Sequence, residues 1–162
     1  MPIVVNINSG KDFEKISEGL HQAVLADVVE LNFKSDPKNF PSKPSQYAPR
    51  DEIRFVYVVA EKDSDGRPKL AFERFGRSYY KGDTKLAKRV RNLTSPTVDL
   101  ATLDLESLIG TQRKLLIEHS IGKSDPNDVW ANIAGMMKPD PDQKVAIPAD
   151  FVRAKNKPAK AA

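Results

Sequence analysis

The chain has 162 residues, 40% of them hydrophobic, which is enough for one domain with a hydrophobic core and too few for two large domains. It contains no run of 18 apolar residues, and Met1 to Ser9 lacks both a basic region and a long apolar stretch. The sequence therefore predicts neither a membrane span nor a signal peptide and favours a cytosolic location. The lack of cysteine excludes disulfides and thiol catalysis, and only two histidines argue against a zinc site, so we expect no metal and no cofactor.

The amino-terminal third is predicted to contain two strands. Residues 1–7 alternate apolar and polar side chains, which suits a short edge strand. Residues 20–32 form a longer strand candidate, because Ala23, Leu25, Val29 and Leu31 alternate with the residues between them. A helix over residues 20–31 is the alternative, since alanine and leucine favour helices and no proline intervenes.

Residues 33–51 are predicted to form a long loop. Four prolines within them prevent a regular helix or a central strand. The loop also carries four cations beside Phe40 and Tyr47, and it is longer than a simple connection needs to be. Either it contacts a ligand or it is a disordered linker.

A hairpin and a short helix follow the loop. Residues 52–62 are rich in β-branched and aromatic side chains, Asp63 to Gly66 reads as a turn, and residues 69–80 supply the second arm. Leu86, Val90 and Leu93 then fall at i, i+4 and i+7, which predicts a helix with one apolar face.

The remaining elements are a helical turn and two more strands. Asp104 could cap a turn that Gly110 closes, and residues 113–121 and 129–137 alternate as strands do. We therefore predict one domain over residues 1–150, containing the 33–51 loop, and a basic, disordered tail over residues 151–162.

This order of elements indicates a fold class. Five strands with a helix between the third and fourth are the order of an OB-fold, so we expect a mainly β protein: a five-stranded Greek-key barrel with one or two short helices. In that fold strands two and three form the ligand face.

Positive charge is concentrated in one segment. Residues 67–91 contain nine lysines and arginines against two acids, a local charge of +7, whereas the whole chain carries +4 and the remainder therefore about −3. Such a field on a near-neutral body is typical of a face that binds polyanions. An ordinary solvated helix face with strand-surface lysines is the alternative.

Aromatic side chains are interleaved with these cations, as single-strand binders require. On the second strand Ile53 shares a face with Phe55, Tyr57 and Val59, so Arg54 lies on the opposite face. On the third strand we expect Leu70 and Phe72 to point inward and Phe75, Arg77 and Tyr79 to point outward. Arg74 then falls on the inward face. Packing of Phe75 and Tyr79 under the loop or helix, and of Trp130 in the core or an interface, stays open. The predicted nucleic-acid-binding residues are Arg54, Arg74, Phe75, Arg77, Tyr79, Tyr80, Lys81, Lys85, Arg89 and Trp130.

Four short motifs also resemble a family. They are residues 18–31, Arg74-Phe-Gly-Arg-Ser-Tyr79 before the predicted helix, Leu103-Asp-Leu-Glu-Ser-Leu-Ile-Gly110 before a strand, and Val129-Trp-Ala-Asn-Ile133. Over residues 18–138 the chain resembles small, mostly uncharacterised phage-encoded proteins of replication and recombination gene clusters, some of them described as single-stranded-DNA-binding-like. The resemblance implies an OB-fold and single-strand binding.

We therefore expect a non-enzymatic protein that binds single-stranded DNA without sequence preference in phage-type replication or recombination; RNA would fit the same chemistry. A protein-interaction module, such as a phage factor that inhibits or redirects a host protein, is the alternative. Outward-facing Val56 and Val58 point to a cover, either the amino-terminal segment or a second subunit, so a homodimer is compatible with the sequence. No catalytic residue is predicted, because Asp104 and Glu106 read as first-turn charges of a helical turn.

Overall fold

The computed structural model describes residues 15–33, 50–121 and 129–156. These residues form a five-stranded antiparallel sheet and one α-helix, which confirms the mainly β class. The predicted strand over residues 1–7 and most of the predicted loop lie outside the described residues. The strands are β1 (Gly19–Phe33), β2 (Arg50–Lys62), β3 (Pro68–Gly76), β4 (Gln112–Ile121) and β5 (Val129–Met137), and the helix is α1 (Lys85–Leu93). In the sheet the strands lie in the order β3-β2-β1-β4-β5.

The central strand β1 pairs with two neighbours at once. Its first residues, Gly19 to Val24, pair with β4, and Ala23 to Phe33 pair with β2. The register with β2 shifts between Leu25 and Asp27, as it does at a β-bulge, so Val24 and Asp27 both pair with residues of the same face of β2. The prediction of a strand over residues 20–32 is confirmed, and the alternative helix is excluded.

The hydrophobic core lies on one face of the sheet, called the inner face below. The side chains of Leu25, Phe55, Tyr57 and Leu115 are fully buried there. Helix α1 packs on this face through its apolar side, as its spacing predicted, with Leu86, Val90 and Leu93 no more than 3% exposed.

Helix α1 begins where its sequence provides a cap. The Thr84 side chain accepts a hydrogen bond from the backbone N–H of Ala87 at 3.2 Å. The turn before it contains two consecutive residues with positive φ, Lys81 at 54° and Gly82 at 64°. The Gly82 carbonyl accepts a hydrogen bond from Arg91 at 2.7 Å, which ties this turn to the last turn of the helix.

The two edge strands of the sheet approach each other. Residues of β3 and β5 have Cα atoms within 8 Å of one another, although no ladder of hydrogen bonds joins these two strands among the described residues. The sheet therefore curves strongly, and α1 lies beside the resulting seam, with Lys85 and Asn132 lining one groove there.

The end of the described chain is packed against the sheet. Residues 138–156, called the C-terminal strap below, cross the outer face of the sheet, which is the face turned away from the core. Phe151 packs there, Arg153 pairs with buried Asp27 at 2.9 Å, and Ala154–Asn156 form a short 3-10 turn. Residues 151–156 belong to the predicted disordered tail, and in the structure they are packed on the sheet through apolar and charged contacts with other elements.

Candidate nucleic-acid interface

Three successive rows of side chains lie along the middle of the outer face of β2 and β3. Residues directly opposite each other in an antiparallel pair lie on the same face, so the register defines each row. Successive rows are about 7 Å apart along the strands. The first row is Arg54 with Arg74, the second Val56 with Phe72, and the third Val58 with Leu70; β1 adds Val29, Asp27 and Val24 to these rows in turn.

The prediction for the faces of β3 is wrong. Phe75 pairs with inward-facing Ile53, is 7% exposed, and meets the Phe55 ring edge to face at a centroid distance of 5.2 Å. Phe75 is therefore a core residue and cannot stack on a base. Phe72, expected in the core, lies on the outer face with 46% of its surface exposed, and Arg74 lies outward rather than inward.

Arg54 and Phe72 form a pair at the centre of this face. The guanidinium carbon of Arg54 lies 5.5 Å from the centre of the Phe72 ring, within the range of a cation–π contact. The Arg54 Nε atom is buried and has no hydrogen-bond partner among the described residues. A flat exposed ring beside a cation is a combination that suits a base and its phosphate together.

Arg74 extends the positive charge to the edge of β3. Its guanidinium contacts the Glu52 carboxylate at 3.0 Å, yet half of the Arg74 side chain is exposed while only 12% of Glu52 is. The pair thus presents the cation to solvent and keeps the acid beneath it. This geometry lets Arg74 contact a phosphate while the fold holds its position.

A groove of about 450 Å³ continues from Arg74 across the seam between β3 and β5. Its α1 wall carries Lys85, exposed and without an ion pair to any described residue, and Lys88, which lies 3.7 Å from Asp83. Exposed Asn92 and Asn132 add amide groups. Cations and amides along an open channel suit the backbone and base edges of a single strand.

Arg89, predicted to contact nucleic acid, has a structural partner instead. Its guanidinium donates two hydrogen bonds to one oxygen of Glu73, at 2.8 and 3.0 Å, and the two side chains are only 13% and 12% exposed. The Tyr57 hydroxyl donates to the other Glu73 oxygen at 2.9 Å. Burial, together with the charge of Glu73, raises the pKa of Tyr57 well above its ordinary value. Arg89 therefore neutralises a buried acid beneath α1.

The other predicted residues lie in the connection between β3 and α1 or on β5. Arg77 forms an ion pair with Glu30 at 3.3 Å. Tyr79 packs partly against the core, where burial raises its pKa. Tyr80 is 70% exposed, and the Lys81 ammonium lies 5.4 Å from the centre of its ring. Trp130, 49% exposed, pairs in register with Ser120 on β4 and precedes Asn132 by two residues on the same strand. Trp130 thus shares the outward face of Asn132, which lines the groove.

A larger hollow of about 810 Å³ lies where β1, the segment after β3 and the strap meet. Its lining includes Arg77 and Lys155, but also three carboxylates, those of Glu30, Asp104 and Glu106. Acids outnumber bases there, so the smaller groove suits a polyanion better. Arg77 and Tyr79 line this larger hollow and are separated from the groove residues.

Four residues of the candidate interface were not predicted from the sequence as binding residues. They are Phe72, Lys88, Asn92 and Asn132. Lys88 could have been found from its spacing, since it lies three residues after Lys85 on a helix. The two asparagines carried no local signal, and Phe72 was assigned to the wrong face.

The described residues form neither a cluster of metal-ligating side chains nor a membrane-spanning helix. Among residues 15–33, 50–121 and 129–156, no three acidic, histidine or cysteine side chains cluster as metal ligands would. None of the helices in this part of the chain is long and apolar enough to cross a membrane.

Neither a protein-family model nor a curated protein sequence matches this chain.

Proposed function

We propose that the protein is an OB-fold-type binder of single-stranded nucleic acid. Three features support the fold assignment: β1 pairs with both β2 and β4, α1 lies between β3 and β4, and the edge strands β3 and β5 approach each other. A five-stranded Greek-key barrel that is partly open between its edge strands has this arrangement.

The observation that carries the function is the position of Arg54 over exposed Phe72, on the outer face of strands two and three. OB-folds bind oligonucleotides on that face. Bases stack on the ring regardless of sequence, while Arg54, Arg74, Lys85 and Lys88 follow the phosphates into the groove. A duplex hides the faces of its bases, so we expect single strands to be preferred.

The setting follows from the resemblance noted above. Small phage-encoded replication and recombination proteins need to hold exposed single strands in the cytoplasm of the host cell, and a sequence-independent face meets that need. We therefore propose that the natural ligand is single-stranded DNA exposed in phage-type replication or recombination, with RNA as a second ligand of the same chemistry.

Fluorescence anisotropy of a labelled oligothymidine, about 30 nucleotides long, tests the proposal when it is titrated at several salt concentrations. Binding should weaken steeply as salt rises, because phosphate contacts release counterions. The double variant Lys85→Gln, Lys88→Gln should bind more weakly and make the slope of log K against log salt shallower by about 1.4, or about 0.7 for each cation lost. No binding at low salt would refute the proposal.

A protein-interaction module is the second candidate, and one surface favours it. Leu20, Leu116 and Met137 lie together on the outer face of β1, β4 and β5, with Leu20 53% and Met137 41% exposed. Such an apolar patch suits a second copy of the chain or a host or phage replication protein. Sedimentation velocity of the protein and of Leu20→Glu distinguishes the cases: a dimer that Leu20→Glu dissociates supports this candidate.

A further inference from the structure

The C-terminal strap covers the third row of the proposed binding face. Val24, Val58 and Leu70 form that row, and the strap residues Val145, Ile147 and Phe151 pack against it. Val58 is fully buried as a result. For Val58, the cover predicted from the outward valines includes the end of the described chain. Only the first row and Phe72 of the second stay open on β3.

The strap is attached without joining the sheet. Residues 138–153 contain no helix or strand, and the bonds between the strap and the sheet run through side chains. The Gln112 side chain donates a hydrogen bond to the Val145 carbonyl at 2.7 Å and accepts one from the Val145 N–H at 2.9 Å. The Lys114 ammonium donates a hydrogen bond to the Asp140 carboxylate at 2.7 Å. Because no ladder of backbone hydrogen bonds includes the strap, it can leave while every strand pairing of the sheet remains.

One charged contact fastens the far end of the strap. Arg153 binds Asp27, which is 3% exposed at the bulge of β1, and also Glu106 at 2.9 Å. The N–H of Ala154 donates to the second oxygen of Asp27 at 2.8 Å. The hydrogen bond from Arg153 lowers the pKa of Glu106. Asp27 belongs to the second row, so this latch lies on the same row as exposed Phe72, with buried Val56 between them.

We propose, on the basis of the function proposed above, that the strap and single-stranded nucleic acid compete for the third row, so that a bound strand displaces the strap. The released row offers a flat aliphatic surface next to Phe72, on which a further base can pack. A ligand that occupies this surface binds the open form more tightly than the closed form, and that difference shifts the strap outward.

Hydrogen exchange followed by NMR tests the displacement in the full-length protein. The amides of Val145 and Ala154 bond to Gln112 and Asp27, so they should exchange at least about tenfold faster when oligothymidine saturates the protein. The Leu25 amide, which bonds to the Thr111 carbonyl at 3.0 Å, reports on the sheet and should not exchange faster. Unchanged or slower exchange at Val145 and Ala154 in the saturated complex would overturn the competition while leaving the proposed function intact.

A matched pair of strap variants tests whether the latch, which is the ion pair between Arg153 and Asp27, weakens the binding of nucleic acid. Arg153→Gln weakens the latch, whereas Lys144→Gln removes the same charge from an exposed strap residue that has no ion pair with a described residue. Arg153→Gln should bind oligothymidine several-fold, up to about tenfold, more tightly than Lys144→Gln, because a larger fraction of the protein is open. Equal affinities would contradict the competition.

Two results of these experiments need a different interpretation: a variant that does not fold, and a lack of any binding. If Arg153→Gln does not fold by circular dichroism, Phe151→Ala loosens the strap without leaving Asp27 unpaired and should give the same gain in affinity. If neither the wild type nor any strap variant binds oligothymidine at low salt, the proposed function fails and the competition fails with it. Failure of the competition alone therefore has a different signature, which is binding without loss of strap protection.

Discussion

Two phenylalanines three residues apart on β3 give a sharp test of which face binds. Phe72 is 46% exposed on the outer face, and Phe75 is 7% exposed in the core. Replacing either ring by alanine removes the same chemical group from the same strand. The two variants should therefore fail in opposite ways, one in binding and the other in stability.

The expected effect of Phe72→Ala follows from the loss of one stacking platform. A base stacked on an aromatic ring contributes about 1–3 kcal/mol, which corresponds to a loss of affinity of about 5- to 150-fold. Stability should fall little, because the ring is half exposed and its contact with Arg54 is worth only about 0.5–1 kcal/mol at such a site.

Phe75→Ala is the matched control. It empties a space against Phe55 and the inner face, which costs about 3–5 kcal/mol in a well-packed core. For a protein of this size the melting temperature should fall by about 6–20 °C. At a temperature where the variant is still folded, its affinity for the oligonucleotide should remain close to that of the wild type.

Anisotropy titration and thermal unfolding of both variants complete the test. The assignment of Phe72 to the outer face and Phe75 to the core would be refuted if Phe72→Ala lowered the melting temperature as much as Phe75→Ala does. The interface would be refuted if Phe72→Ala folded normally and bound oligothymidine as tightly as the wild type.

Other consequences of the structure can be measured separately. Arg89→Ala leaves the Glu73 carboxylate buried without its cation and should lower the free energy of unfolding by about 3–5 kcal/mol in chemical denaturation; an unchanged value would show that the pair is not needed. Arg77→Gln, which removes a cation beside Glu30 in the larger hollow, should weaken oligonucleotide binding less than Lys85→Gln does in the same titration. Partial burial raises the pKa of Glu61, but hydrogen bonds from Ser17 and Lys69 outweigh it and lower the pKa from 4.5 to about 2. The ionised carboxylate therefore stabilises the fold fully above about pH 4.5 and less as the pH falls toward 2. The difference in the free energy of unfolding between wild type and Glu61→Gln should shrink over that range in acid unfolding curves. A constant difference would show that the ionised Glu61 carboxylate is not the source of this stability.

Local patterns predicted most of the elements that surround the interface. The β-branched run before Asp63 gave β2, the spacing of Leu86, Val90 and Leu93 gave α1, and Asp104 caps a 3-10 turn, where its side chain accepts from the Glu106 N–H at 3.0 Å. Each of these signals depends on residues within one or two turns or strands of one another. Because such local signals do not depend on the rest of the fold, these elements can be predicted from the sequence alone.

The faces of β3 could not be predicted in the same way. Leu70, Ala71, Phe72 and Phe75 are all apolar, so alternation along this strand does not distinguish an inner from an outer face. The reason is the strap: Phe151, about eighty residues away, packs near Leu70 on the outer face and makes that face apolar too. A pattern read within one strand has no access to a cover that comes from so far along the chain.

The sequence by itself determined the class of the fold, the order of the strands and helix, and the concentration of positive charge between residues 67 and 91. Only the tertiary structure decided which of those charges can meet a ligand. Arg89 and Lys85 lie on the same helix and line the same groove, yet Arg89 binds Glu73 from β3 while Lys85 is exposed and has no ion pair with a described residue. The physical reason is that a cation's role depends on the acid nearest to it in space, and pairing between separate elements is fixed only when the chain folds.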